Sequence, residues 1–492
     1  MVRLRFAPSP TGYLHVGGLR TALFCWFYVR QQGGKFIFRL EDTDQKRLVE
    51  GAENDLIRML EWAGIDLDEG PGIGGESGPY RQSERIEIYS RHVRKLLDDE
   101  NAYHCFCSAE RLEKLKAGQR AKGDTPRYDG FCRRLSKAEV SRRLGEGDQH
   151  VVRMKVPEIP ETLVLDDLIR GSVSIETSQT EDQVLVKSDG FPTYHLAVVV
   201  DDHLMNITHV VRGEEWLSSF PKHLLLYRFL GWDPPRFAHL PLILNPDKSK
   251  LSKRQGDVAV EDFRSQGYLP EALVNFISLL GWSPAQDQEL FSLSELLEEF
   301  SFERVNKSGA VFDREKLNWM NQQYIQNLNL EDFHQRLLPF LAETTYAGED
   351  EILLRKAIKI LQPRLVTLAE IGDRLSLFFD QNPAATDPEV KNLLRKDTSK
   401  DVLSVFIKQL ESIDKLTEEN FASVVGNIQK ETMIKGKDLW LPLRYAITLE
   451  AQGPDLKLMG DYFGKEKCLH LARHALESVS YTHLTLPTIC SV

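Results

Sequence analysis

Arg3-Leu4-Arg5-Phe6-Ala7 alternates polar and apolar positions, and beyond it apolar residues recur at 19, 22, 23, 26 and 27. Period two followed by period 3.6 predicts a strand, a turn and a helix. Lys35-Phe36-Ile37-Phe38-Arg39-Leu40-Glu41 is a second short strand, running into the acidic turn Glu41-Asp42-Thr43-Asp44. Alternation of this kind through residues 1–97 predicts a doubly wound, Rossmann-type parallel sheet with helices on both faces. Asp42 and Asp44 then lie either at the ligand-binding end of a strand or in the cap of the next helix. From 98 to 185 the pattern turns to polar helical segments and then short strands, an inserted α+β domain. Sheet character resumes at Val184-Leu185-Val186-Lys187. The continuous apolar run Leu196 to Val200 predicts a strand buried on both faces. A further strand, Ile207 to Val211, delivers Arg212-Gly213-Glu214-Glu215-Trp216 at its end. Residues 1–97 and 186–240 therefore form one α/β domain, and 241–325 a further region.

Strand signals vanish from about 326. Glu351 to Leu361 carries apolar residues at 353, 354, 357, 358 and 361, one helical face, and Pro363 breaks the pattern. Residues 326–480 are expected to be all-α, in two small bundles. Residues 481–492 continue no helix and read as a disordered or artefactual tail.

Composition narrows the class without changing this layout. With 492 residues, 42% hydrophobic and 27% charged, the chain has the make-up of a soluble globular protein of several domains. No run approaches the ~18 apolar residues of a membrane span, and the start lacks a secretory pattern. Six cysteines in so long a chain make no disulfide framework, which fits a reducing cytoplasm. A formal net charge of −11 argues against a wholly basic nucleic-acid binder but leaves room for a local basic face.

The chemistry begins in the first turn, Pro8-Ser9-Pro10-Thr11-Gly12-Tyr13-Leu14-His15-Val16-Gly17-Gly18. Two prolines fix backbone angles, and Gly12, Gly17 and Gly18 permit close approach of main chain to a ligand. The following helix points amide donors and its positive dipole end at the turn, as a phosphate site requires; a plain glycine-rich turn is the alternative. Arg5, Glu41, Tyr194 and Arg212 all fall near strand ends and can converge on one rim, where the two guanidinium groups would suit a carboxylate. Asn245-Pro246-Asp247-Lys248-Ser249-Lys250-Leu251-Ser252-Lys253-Arg254 packs four cations into seven residues, a basic loop or a solvated face. Cys105, Cys107, Tyr128 and Cys132 can hold a structural Zn²⁺. The fourth ligand is open, with His104 in reserve; otherwise these are half-buried thiols.

His15-Val16-Gly17-Gly18 and Lys250-Leu251-Ser252-Lys253-Arg254, in that order and separation, resemble the two signature motifs of class I aminoacyl-tRNA synthetases. Further stretches narrow the resemblance to the bacterial glutamyl-tRNA synthetase family: Ala7 to Gly12, Arg39 to Asp44, Gly78 to Ser83, Ser188-Asp189-Gly190 through Asp201-Asp202-His203, Gly267 to Leu273 and Lys316 to Asn321. It runs from about residue 2 to about 478. The resemblance implies activation of L-glutamate by ATP to glutamyl-adenylate, with release of pyrophosphate, and transfer to the 3′-terminal adenosine of tRNA(Glu). By the same resemblance His15 and the Gly17 and Gly18 amides hold the ATP phosphates. Pro10, Thr11, Gly12, Glu215, Trp216, Leu251, Ser252 and Arg254 complete the ATP site, and Lys253, helped by Lys250, stabilises the departing pyrophosphate. Mg²⁺ accompanies the nucleotide. Arg5 and Arg212 clamp the substrate side-chain carboxylate, Glu41 takes its ammonium, and Ala7, Ser9 and Tyr194 complete the pocket. Val198 stands where some relatives have an asparagine, which removes one substrate hydrogen bond. By the resemblance the insert, 98–185, holds the tRNA acceptor end, residues 241–325, which carry the Lys250 to Arg254 loop, contact the stem, and the helical region reads the anticodon. Arg364 falls where an arginine favours C at the third anticodon position, so tRNA for glutamine should be charged poorly. The chain is expected to work as a monomer. Two other readings share these motifs: a silent tRNA-binding paralogue, and a nucleotidyltransferase of the same superfamily.

Overall fold

The structure is a computed structural model that describes residues 1–251, 258–380, 396–448, 450 and 452–480. It begins with strand β1 (Arg3–Phe6), helix α1 (Val16–Gln31), strand β2 (Lys35–Phe38) and helices α2 (Ala52–Trp62) and α3 (Ile86–Asp98). The apolar positions 19, 22, 23, 26 and 27 of α1 are all buried, so its period-3.6 stripe is the face packed on the sheet. Next come β3 (Ala102–Cys105), α4 (Ala109–Ala121), α5 (Lys137–Gly145), β4 (Val151–Met154), β5 (Thr162–Asp167), β6 (Gly171–Glu176) and β7 (Val184–Val186). Then follow α6 (Tyr194–Leu204), β8 (His209–Gly213), α7 (Phe220–Leu230) and β9 (Arg236–Leu240).

The main sheet has six strands in the order β2-β1-β8-β9-β5-β6. Contacts from β2 through to β5 are parallel, and the β5–β6 hairpin closes that edge antiparallel. Parallel central strands need crossovers, which α1, α6 and α7 supply. The β5–β6 hairpin comes from within the inserted segment, so the insert adds two strands to the main sheet as well as building its own. Its own sheet is β3-β4-β7, antiparallel throughout.

The run from Leu196 to Val200 differs from the sequence expectation: it lies in α6, not in a strand. Leu196, Ala197, Val198, Val199 and Val200 are each at most 2% exposed. A helix surrounded by core is apolar on every side, so its sequence shows no stripe and mimics a buried strand. Burial on all faces has overridden the β-propensity of three successive valines. The consequence for function is direct, because Asp201 and Asp202 then sit in the last turn of a buried helix. The acidic turn after β2 also differs. Asp42 caps no helix; its oxygens accept from the Ser83 amide at 2.8 Å and the Ser83 hydroxyl at 2.5 Å. Asp44 precedes the short helical turn Gln45–Arg47 but makes no side-chain cap bond.

A second compact unit comprises Ser265–Leu269 and the chain from Asn318 on. Its described elements are helical, including Leu330–Ala342, Glu351–Leu361 and Ile371–Phe379, then Asp397–Glu411, Glu418–Thr432, Lys437–Thr448 and Leu456–Ser480. Side-chain caps start several of them: Asn329 accepts from Asp332, Asp350 from Ile352 and Leu353, and Thr417 forms a reciprocal box with Asn420. Leu354, Ala357, Ile358 and Leu361 form the buried face of their helix, whereas Leu353 is 42% exposed. Residues 481–492, expected to be a tail, lie outside the described residues.

Candidate active site

The carboxyl ends of β1, β2 and β8 open into a cavity of about 710 Å³, a size suited to a small ligand. Arg5, Ala7, Ser9, Thr11, Gly12, His15, Gly17, Gly18, Glu41, Tyr194, Arg212, Glu215, Trp216, Lys250 and Leu251 line it. Two residues expected there do not. Pro10 is buried beneath the turn, with its carbonyl accepting from the Val49 amide at 3.0 Å. Val198 is buried in the apolar core with its neighbours on α6. Ser252, Lys253 and Arg254 lie outside the described residues.

At one end of the cavity is the start of α1. His15 is its N-cap residue, and its Nδ1 accepts from the Gly18 amide at 3.1 Å. Because Nδ1 accepts, the neutral ring carries its proton on Nε2. Gly17 has a reason of its own: a Cβ there would lie 3.1 Å from His15 Cε1 and 3.2 Å from Nδ1. Glycine at 17 makes room for the folded-back ring as well as for a ligand. The Val16 amide donates to the Val258 carbonyl and the Val260 amide to the Leu14 carbonyl. These bonds tie the turn to the chain just beyond residue 257. Within the basic loop, Leu251 donates to the Ile243 carbonyl, and Lys250 reaches Glu215 at 3.1 Å. The two stretches that looked paired in sequence thus meet at one cavity through their described residues. Trp216 packs on Tyr194 with ring centroids 4.3 Å apart.

The floor is a buried ion network. Asp202 accepts from Arg5 Nε at 2.9 Å and Nη2 at 3.3 Å, and from Arg39 Nη1 at 2.7 Å. Arg39 Nη2 donates to Glu41 at 3.1 Å. The adjacent Asp201 accepts from Arg85 at 2.7 Å, Tyr89 at 2.8 Å and Gln82 at 2.9 Å. Burial opposes charge on Arg5 and Arg39, but Asp202, joined at Arg39 by Glu41 and Asp201, holds both above their ordinary values. Burial wins at Glu41, which is pushed up to about 7 despite Arg39 and Arg5. Such perturbed groups in a cleft mark a working site.

Arg212 enters the cavity from β8 by a different route. Its Nε donates to His239 Nε2 and its Nη1 to His223 Nδ1, each at 3.0 Å. Nη2 is buried without a hydrogen-bond partner. Burial lowers its pKa, with Tyr194 opposing. Sequence reasoning missed Arg39 and Asp202 as partners and both histidines. Asp202 had a signal, at the end of an apolar run; a lone histidine in a helix or strand has none.

The cysteine cluster lies in the insert, away from these strand ends. Cys105, Cys107 and Cys132 bring their sulfurs within 4.8 Å of one another. The Tyr128 hydroxyl lies 3.3 Å from Cys105 Sγ and 3.6 Å from Cys107 Sγ. Hydrogen bonding from Cys132, against burial and with help from Tyr128, holds the Cys105 thiol down, while the same contacts and burial push Cys132 and Tyr128 up. Three soft donors with their sulfurs this close fit a zinc ion. His104 meets His150 edge-on instead, with ring centroids 4.9 Å apart, and is not in the cluster. In the second unit Arg364 lines a separate hollow of about 350 Å³ with Trp440, Arg444, Gly453, Asp455 and Leu456.

Comparison with known proteins bears on both units. Residues 1–319 match the family model for tRNA synthetases class I (E and Q), catalytic domain, and residues 332–476 match an anticodon binding domain. Over 482 residues the chain is 46% identical to a glutamate–tRNA ligase of Clostridioides difficile, covering 95% of this chain and 98% of that one. A glutamate–tRNA ligase of Alkaliphilus metalliredigens is also 46% identical, over 94% and 97% of the two chains. Among solved structures, a glutamate tRNA ligase from Elizabethkingia meningosepticum in complex with its amino acid superposes with a TM-score of 0.86. It is 37% identical, with 97% of this chain and 99% of that one covered.

Proposed function

The chain belongs to the class I tRNA synthetases (E and Q), and we propose the reaction its catalytic unit supports: it is an ATP-dependent glutamate–tRNA ligase. The substrates are ATP, L-glutamate and tRNA(Glu). One observation carries the residue-level reading. A single cavity joins a helix N-terminus suited to phosphate with two buried arginines and a glutamate suited to an amino acid.

In the first step a glutamate α-carboxylate oxygen attacks the α-phosphate of ATP, and pyrophosphate leaves. The protein's part is positioning and charge stabilisation. His15 donates from Nε2, and the Gly17 amide with the α1 dipole holds phosphate oxygens; the Gly18 amide, expected there too, is taken by His15 Nδ1. Thr11, Gly12, Glu215, Trp216, Leu251 and Lys250 border the nucleotide, and Lys253 with Ser252 and Arg254 meets the departing pyrophosphate. Arg212 and Arg5 take the substrate side-chain carboxylate, Glu41 its ammonium, and Ala7, Ser9 and Tyr194 close the pocket. Mg²⁺ with ATP is the usual practice of aminoacyl-tRNA synthetases. In the second step the glutamyl group passes to the terminal ribose of the tRNA.

Cys105, Cys107 and Cys132, with Tyr128 as fourth donor, would hold one structural zinc that shapes the insert, which grips the acceptor end. The region from 326 on reads the anticodon, with Arg364 favouring C at the third position. No described helix is long and apolar enough to cross a membrane, and we place the chain in the cytoplasm as a monomer. Charging purified tRNAs for glutamate and glutamine side by side tests the reading. Glutamylation of the glutamate tRNA, with the glutamine tRNA charged poorly, is expected. Equal charging would remove the role of Arg364, and no charging of either would remove the ligase.

A further inference from the structure

The two arginines of the amino-acid pocket differ in what holds them. Arg5 is gripped by a carboxylate, Asp202. Arg212 is gripped by imidazoles, His239 at Nε and His223 at Nη1, with the Tyr194 hydroxyl as a further neutral neighbour. A guanidinium cannot accept a hydrogen bond, so both ring nitrogens facing Arg212 must be unprotonated. That fixes two tautomers. His239 carries its proton on Nδ1 and gives it to Asp167 Oδ2 at 2.7 Å. His223 carries its proton on Nε2, 3.0 Å from His195 Nδ1. Asp167 does not reach Arg212. Its oxygens are taken by His239 Nδ1 and by the amides of Ile169, Arg170 and His239. The further charge near His223 and His195 is a cation, Lys222.

We infer that His223 and His239 are positioning residues that set selectivity for glutamate over glutamine. They orient Arg212 through neutral acceptors and so present it to the cavity as a cation that no described carboxylate bonds, although Asp202 acts on it from a distance. The inference rests on the proposed role of Arg212 as the clamp for the substrate side-chain carboxylate. An anion gains from a buried guanidinium that no carboxylate bonds, whereas a neutral amide gains little. A carboxylate in place of either imidazole would pair with Arg212 as Asp202 pairs with Arg5, and the preference for an anionic substrate would fall. His223 and His239 are buried, at 2% and 0% exposure, and act only through Arg212.

Substitution at 223 separates this role from packing. Asparagine sets its carbonyl where Nδ1 stands, and glutamine sets its own where Nε2 stands. In ATP–pyrophosphate exchange with tRNA present, His223→Asn should keep the glutamate KM within about threefold, and His223→Gln should raise it about tenfold, the cost of one charge-assisted bond. His223→Asp should lower the glutamate-to-glutamine ratio of kcat/KM by at least about tenfold. In all three the ATP KM should stay within about twofold. Asparagine and glutamine variants that behave alike, or an aspartate variant with the parental ratio, would overturn the inference. If His223→Asp does not fold, the Asn and Gln pair decides alone. Arg212→Ala separates the two levels. An unmoved glutamate KM there would remove the clamp reading itself, whereas a raised one with an inert His223 series would remove only the histidine role.

Discussion

The two ends of the catalytic cavity are built on different principles. At the amino-acid end, charged side chains are buried and, Arg212 apart, matched: Arg5, Arg39, Glu41 and Asp202 lock one another, and Asp201 binds Arg85. At the nucleotide end the donors are backbone amides and one exposed histidine, His15, braced by its own helix. Buried matched charges cannot rearrange without exposing one of them, so that end is set before substrate arrives. An amide cradle at a helix terminus needs no charged partner and can stay open to solvent. Specificity for one small zwitterion therefore belongs to the stiff end, and accommodation of a large polyanion to the open one.

The largest effect should come from unmatching the stiff end. Asp202→Ala leaves Arg5 and Arg39 buried without their shared carboxylate, which should cost about 3–5 kcal/mol of stability. Denaturant melts of the catalytic unit would show it, and a loss below ~1 kcal/mol would mean the network is solvated. Next is Glu41. Burial raises its pKa from an ordinary 4.5 to about 7, so the native state holds a proton that the unfolded chain releases. The stability of the substrate-free enzyme should thus decline as pH rises from 4.5 through about 7. Glutamate binding should move the other way, because the ammonium needs the carboxylate: the glutamate KM should fall as pH rises through about 7. Glu41→Gln should flatten that dependence; a profile unchanged by the substitution would contradict the assignment.

At the open end the effects should be smaller and fall on ATP. Gly17→Ala puts a Cβ 3.1 Å from the His15 ring, displacing its proton donor. The ATP KM should rise roughly tenfold while stability changes by under ~1 kcal/mol. Smallest is Lys250→Ala. Lys250 is exposed and paired with exposed Glu215, so an effect under about threefold on the ATP KM is expected from a solvated pair. A large effect of Lys250→Ala on glutamate instead would erase the division between the ends.

How much of this was legible in the chain follows the same division. The β1–turn–α1 unit reads cleanly because its two periods, its glycines and its cap are local. Arg5, Glu41 and Arg212 could be placed near strand ends from periodicity alone, and they do share one cavity. The run from Leu196 to Val200 could not be read correctly. A helix enclosed by core loses the polar stripe that identifies it, and its length shows only once both ends are fixed. The partners of the arginines were equally hidden. Asp202 meets Arg5 from nearly two hundred residues away, and His223 and His239 reach Arg212 from α7 and β9. Pairings of that kind are products of topology. The cysteine cluster lies between these cases, since spacing suggested it but only the fold brings Tyr128 to its sulfurs and leaves His104 with His150. Elemental analysis of protein purified without chelator should find about one zinc per chain; none would leave those thiols a structural trio.

The division of the cavity is tested most directly by ATP–pyrophosphate exchange on Arg212→Ala with tRNA(Glu) present, scanning glutamate and ATP separately. The glutamate KM should rise on the order of 100-fold, as loss of a bidentate charge-assisted contact implies, with the ATP KM within about twofold of the parent. Equal loss for both substrates would contradict it, because the two ends would then be one.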